Sequence, residues 1–116
     1  MSEEQGTSSP EQGNSVAVSS SGGIFVTGST WGSLDGNTNS GQTDMFLVKY
    51  DSSGLKQWTR QLGSSSGNAD EGNGVAIDSS GNVFIVGTTY GSLDGGTFSG
   101  SADMFLVKYD SSGSLQ

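Results

Sequence analysis

Oxygen-bearing side chains are the first candidates for chemistry in this 116-residue chain. Asp35, Asn37, Asn39 and Asp44 fall within ten residues of one another. Calcium takes roughly six to eight hard oxygen ligands, backbone carbonyls included, so this stretch reads as a candidate Ca²⁺ loop. A related stretch ends in Asp94 and Asp103, but Gly96 and Phe98 stand in place of the two asparagines. No DxDxDG spacing occurs. Asp35-Gly36 and Asp94-Gly95 therefore also fit as tight turns, with Asp44 and Asp103 bonding loop amides. Trp31 and Tyr90 open the same two stretches, and flat aromatics beside Asp, Asn and amides are the ingredients of a glycan platform. The alternative is that these rings cover the edges of neighbouring sheets.

Catalysis finds little support. The sequence has no His and no Cys, which removes imidazole bases, thiol nucleophiles, disulfides and the usual zinc ligands. A serine nucleophile would need a lysine base, and only Lys49, Lys56 and Lys108 exist. All three sit in repeated or outer-strand positions, and Lys49 and Lys108, each beside a Tyr and an Asp, read as solvated strand-end charges. Asp35 with Asp44 is the one carboxylate pair for glycoside chemistry, with nothing to raise the pKa of either. No Gly cluster opens a helix to hold phosphate. The expectation is a protein that is not an enzyme, with calcium as the one candidate cofactor.

Charge and hydropathy narrow the partners. Asp plus Glu outnumber Lys plus Arg by 12 to 4, for a net charge of −8, which argues against a nucleic-acid partner. The apolar runs span only a few residues, so no membrane insertion and no signal peptide are expected. Gly and Ser account for 20 and 23 residues, a composition close to that of a linker. The placement of the apolar residues decides against a linker. They are bunched as Val16–Val18, Ile24–Val26, Met45–Val48, Val75–Ile77, Val83–Val86 and Met104–Val107, each bounded by Gly, Ser, Asn or Asp. Such punctuation marks β-strands. No run has a helical period with caps. The fold class is all-β.

A shift of 59 residues lays Gly13–Gln57 on Gly72–Gln116 without a gap, with 30 of 45 positions identical. Asp44–Gly54 recurs unchanged as Asp103–Gly113. Each unit holds four strands, which in the first copy fall at about Ser15–Ser19, Gly23–Thr27, Met45–Tyr50 and Leu55–Leu62. Short turns such as Asp51-Ser52-Ser53-Gly54 join them, with Asp or Ser bonding its own backbone and Gly taking the positive-φ position. The third strand is apolar on both faces, as expected between two neighbouring sheets. The fourth alternates, placing Lys56, Trp58, Arg60 and Leu62 on one face. Trp58 reads as packing. The short turns should gather on one rim and the long loops on the other, with Asp35, Asp44, Asp70, Glu71, Asp94 and Asp103 at the long-loop rim.

A repeated four-stranded meander graded from apolar to polar is the pattern of a β-propeller blade. The stretches Asp78–Gly87, Gly91–Gly95, Asp44–Asp51 and Gln57–Gly63 resemble the SBBP family, the bacterial seven-bladed β-propeller repeats. The likeness runs from about Gly6 to the end of the chain. It implies propeller blades on secreted or cell-surface proteins, hence an extracellular location, and it supplies no catalytic residues. The units are expected as residues 1–62, with an N-terminal remnant of an outer strand, and 63–116, with a truncated outer strand.

Two blades do not close a ring, and a repeat unit leaves its apolar face uncovered without neighbours. Two four-stranded antiparallel blades are therefore expected to close into a full propeller by homo-oligomerisation. A trimer would give six blades and a tetramer eight. Phe25, Val48, Phe84 and Leu115 are the expected interface residues, and Ser2–Gln5 of a neighbour would continue the strand begun at Ser114–Gln116. A domain-swapped or open dimer and an isolated fragment of a larger surface protein are the alternatives.

Overall fold

The apolar runs form seven antiparallel strands in two sheets, seen in a computed structural model that describes residues 4, 6, 11–32, 43–63, 69–90 and 103–116. The first sheet has the order β1 (Glu11–Val18), β2 (Ile24–Thr30), β3 (Asp44–Tyr50) and β4 (Lys56–Leu62). The second has the order β5 (Asp70–Ile77), β6 (Val83–Thr89) and β7 (Asp103–Tyr109). No helix occurs among the described residues. Beyond β7, Leu115 bridges Tyr109 and the Gln116 amide donates to the Lys108 carbonyl at 2.8 Å. This is the first step of a fourth strand. Of Ser2–Gln5, only Glu4 is described, and it is exposed.

Turn chemistry follows the sequence closely. Gly22, Gly54, Gly81 and Gly113 all have φ between 85° and 92°, the region glycine enters without steric cost. Asp51 Oδ1 accepts from the Ser53 and Leu55 amides, each at 2.9 Å. Asp78 and Asp110 repeat the device with Ser80 and Asn82 and with Ser112 and Ser114. Ser19 Oγ, in the aspartate's place, accepts from the Gly23 amide at 3.0 Å.

The sheets stack face to face. Phe25, Met45 and Leu47 of the first sheet, with Trp58 and Leu62 beside them, close on Val83, Ile85, Phe105 and Tyr109 of the second, flanked by Val75, Ile77 and Val107. The backbone of β5 comes so near that a Cβ on Gly72 would collide with Thr27 Oγ1 and crowd Met45. Bulges at Asn14 and Asn73 interrupt the two inner hairpins. A bulge re-aims its side chain, and Asn14 Nδ2 thereby reaches across to donate to the Gly72 carbonyl at 2.8 Å. The Asp70 amide adds a bond to the Thr43 carbonyl at 2.8 Å.

Two expectations need correction. Phe25 and Val48 are not left uncovered: Phe25 is buried between the sheets, and Val48 lies in a second cluster with Phe46, Val26 and Tyr50. The stacking of the chain's own blades already covers Phe25. In β4, a bulge sets Lys56 opposite Tyr50 and Trp58 opposite Lys49. Adjacent strand residues point to opposite faces, so Lys56 leaves the face that Trp58, Arg60 and Leu62 share.

The turn carboxylates make acid stability predictable in sign. The Ser53 hydroxyl and the Leu55 amide hold Asp51 below its ordinary 3.8. Asn82 does the same for Asp78, and Ser112 for Asp110. Their folded pKa values lie below the unfolded ones, so in acid the unfolded chain binds more protons and stability falls with pH. The thermal midpoint should hold level above about pH 4 and drop below it. The triple variant Asp51→Asn, Asp78→Asn, Asp110→Asn should flatten that acid limb. An equally steep limb in the variant would exclude the turns as its source.

Candidate functional site

Two rims and two open faces are available for binding. The long-loop rim is built by the ends of β2, β3, β5 and β6. Asp44, at the start of β3, is fully buried, and its Oδ2 accepts from Gln61 Nε2 at 3.0 Å. The same Gln61 amide donates to the Gly32 carbonyl at 2.9 Å. Thr30 Oγ1 donates to Glu11 Oε2 at 3.0 Å and accepts from the Gly32 amide at 3.0 Å. In the second sheet, buried Asp70 accepts from the Thr89 hydroxyl. These carboxylates tie strand ends together, and Asp103 sits half-buried opposite Thr89.

The expected calcium ligands are only partly in view. Asp35, Asn37, Asn39 and Asp94 lie outside the described residues. Among the described residues no three carboxylates converge as a metal ion would need. Trp31 and Tyr90 do reach solvent, at 51% and 43% exposure. Trp31 lines a shallow cleft of about 210 Å³ with Glu11, Gln12 and Ser29.

The short-turn rim carries a feature that sequence reasoning passed over. A cleft of about 260 Å³ opens between the blades, lined by Ser19–Ser21, Asp78–Gly81 and Ser111 together with Phe25 and Lys49. Lys49, expected as a solvated strand-end charge, is half-buried with its ammonium 5.5 Å from the Phe25 ring centre. Lys108 stands over Phe84 at 5.7 Å in the same way. The signal lay in the repeat itself, because register sets each lysine beside a phenylalanine on the same face.

The open faces are the larger feature. Met104 and Leu106 are 78% and 66% exposed, whereas Met45 and Leu47 at the equivalent positions are fully buried. Val86 is exposed on the same face. At the other end of the stack, Val16 and Val18 are exposed, whereas their counterparts Val75 and Ile77 are half-buried against the core. Of the expected interface residues, Phe84 is half-buried and Leu115 is exposed.

At the outer edge a cation closes the junction between blades. The Arg60 guanidinium lies 4.9 Å from the Trp58 ring centre. Its Nε donates to the Gly113 carbonyl at 2.6 Å and its Nη2 to the Ser112 carbonyl at 3.4 Å. Trp58 meets Phe25 edge-on, with ring centres 6.0 Å apart, so its expected packing role holds.

Stacked antiparallel meanders with apolar faces between them define a pair of propeller blades. Comparison with known families agrees: residues 5–35 and 57–94 each match the SBBP beta-propeller repeat. The chain belongs to that family, as two tandem repeats. No curated protein matches it.

Arg60→Ala removes the two hydrogen bonds across the junction, a third to the Thr59 carbonyl and the stacking on Trp58. For a charged donor at a partly buried site the cost should be about 1–2 kcal/mol. Urea unfolding followed by Trp fluorescence would measure it. An unchanged midpoint would show that the junction holds without this contact.

Proposed function

We infer that the chain is a non-catalytic structural and binding module whose copies associate head to tail until the stack of blades closes into a propeller. One observation carries this reading. The face bearing Phe84, Val86, Met104 and Leu106 is the counterpart, position by position, of the Phe25, Thr27, Met45 and Leu47 face that packs inside the chain. The surface that receives such a face also has a counterpart with exposed residues, at Val16 and Val18.

Each end therefore carries half of an interface that the chain already makes once. Burying a large apolar side chain contributes roughly 1.5–3 kcal/mol, so leaving Met104 and Leu106 in water forfeits a sizeable share of a small domain's stability. Finer detail supports the same geometry. Gly13 is the counterpart of Gly72, and within the chain a Cβ there would have ordinary space, 3.7 Å from Val26. Asn73 is the counterpart of Asn14, which spans the internal junction. Asn73, exposed as Asn14 is, donates instead to the Thr88 hydroxyl of its own sheet at 3.3 Å. An interface that joins different surfaces builds a ring when its rotation closes. With two blades per copy, the expected rings are a trimer or a tetramer.

Light scattering should find one species of three or four copies. Gly13→Leu should leave the single chain's fold intact while placing a side chain where the next copy's Val86 and Met104 would pack. Met104→Asp should act from the other side. Both variants should run as monomers. A well-folded wild-type monomer at high concentration would overturn the reading.

A second reading, a glycan-binding surface, has one observation in its favour. Trp31 offers an exposed ring beside Glu11, Gln12 and Ser29, an aromatic face next to hydrogen-bonding groups as sugars require. Repetition around a ring would add avidity. A glycan array should give hits that Trp31→Ala abolishes. Hits that survive the substitution, or no hits at all, would remove this reading.

A further inference from the structure

The short turns are near-copies of one another, and the cleft between the blades sits where two of them depart from the pattern. Three turns open on an aspartate, Asp51, Asp78 or Asp110, whereas the β1–β2 turn opens on Ser19. Lys49 lies against that turn: a Cβ on Gly23 would stand 3.1 Å from Ser19 Oγ and 3.3 Å from Lys49 Cε. With serine in the aspartate's place, the turn offers Lys49 no carboxylate. The Phe25 ring, 5.5 Å from the half-buried ammonium, stabilises the charge, and among the described residues no carboxylate pairs with it.

Across the cleft, the β5–β6 turn departs in a second way. Ser53 and Ser112 each donate a hydroxyl to the aspartate of their own turn at 2.7 Å. In the β5–β6 turn Asp78 Oδ1 holds the Ser80 and Asn82 amides, and the Asn82 side chain donates to Oδ2 at 3.0 Å. The exposed Ser80 hydroxyl makes no such bond among the described residues. The cleft thus sets one cation beside serine hydroxyls from both blades. We propose that it binds a small hydroxylated carboxylate, with the carboxylate on Lys49 and the hydroxyls on the serines of the two facing turns. A lysine–carboxylate hydrogen bond is about twice as strong as a neutral one. One cation matches one negative charge, whereas the second charge of a phosphate would face Asp78. At about 260 Å³ the cleft falls below the roughly 300–1,000 Å³ of drug-sized sites, which suits an occupant the size of one sugar acid. The net charge of −8 repels anions at long range, so binding depends on contact with Lys49 and not on the overall field.

The test is an NMR titration with D-glucuronate, up to millimolar concentration, of the isotopically labelled full chain carrying Gly13→Leu. That substitution blocks contact between copies, so only the cleft within one chain is read, and the site and self-association fail or succeed separately. Saturable shifts should centre on Ser19–Ser21, Lys49 and Ser79–Gly81. Glucose, which lacks the carboxylate, acetate, which lacks the hydroxyls, and inorganic phosphate should each bind about tenfold more weakly or worse. Adding Lys49→Gln should weaken glucuronate binding about tenfold, the loss of one charge-assisted hydrogen bond. Lys56→Gln, which removes the same charge outside the cleft, should leave binding unchanged. Ser80→Ala, at an exposed turn position, should weaken binding and carries the test if Lys49→Gln fails to fold. Lack of saturation, shifts centred elsewhere, acetate or phosphate binding as tightly, or equal effects of Lys49→Gln and Lys56→Gln would overturn the proposal.

Discussion

Phe25, Met45 and Leu47 on one sheet close on Val83, Ile85, Phe105 and Tyr109 of the next, and nearly every other feature of the protein answers to that contact. A single antiparallel sheet of three or four strands has two faces and no means of hiding both. Stacking hides one face of each sheet; on the outward faces, Phe46 and Val48 of the first sheet are buried in a cluster of their own, whereas Met104 and Leu106 of the second are open to solvent. The composition sharpens the constraint. With so much Gly and Ser in the chain, the large apolar residues are few, and those of the core cluster lie on sheet faces.

The turns and bulges serve this stacking. Hairpins closed by Asp or Ser and a left-handed Gly are short and self-satisfied, so they demand little from the rest of the fold. Glycine at position 72 permits the close approach of β5 to the first sheet, and the bulge at Asn14 in β1 turns a polar side chain across the junction to the Gly72 carbonyl. At the outer edge, where apolar cover thins, Arg60 and Trp58 take over with carbonyl bonds and ring stacking. The junction thus runs from a tight backbone approach, through an apolar centre, to a charged clasp. That gradient is the physical content of a propeller blade's inner-to-outer polarity.

Much of this was legible in the residues. All four strands of the first unit, the Asp-Ser-Ser-Gly turns and the doubling of the unit follow from apolar bunching and from identity at a fixed shift. The candidate site was less legible. Trp31 and Tyr90 lie exposed where their positions beside the long loops suggested, but the half-buried Lys49 over Phe25 and the serine-lined cleft between blades were missed. A cleft between two sheets depends on how far apart their turns stand, and strand periodicity carries no such distance. The shift of Lys56 to the opposite face was missed for a related reason, since one bulge changes the parity of a strand without any marked residue.

The segment Asp-Met-Phe-Leu-Val-Lys-Tyr shows where the division falls. Its strand character, its pairing partner and the alternation of its side chains are the same in β3 and β7, because backbone sterics and β-branched or aromatic side chains act locally. Its burial is not the same: five consecutive residues are buried in β3, whereas only Phe105 and Tyr109 are buried in β7. Identical residues cannot encode that difference. Position in the stack does, since apolar burial is set by what lies on the other side of the sheet, and only the folded chain supplies a neighbour to one copy and withholds it from the other.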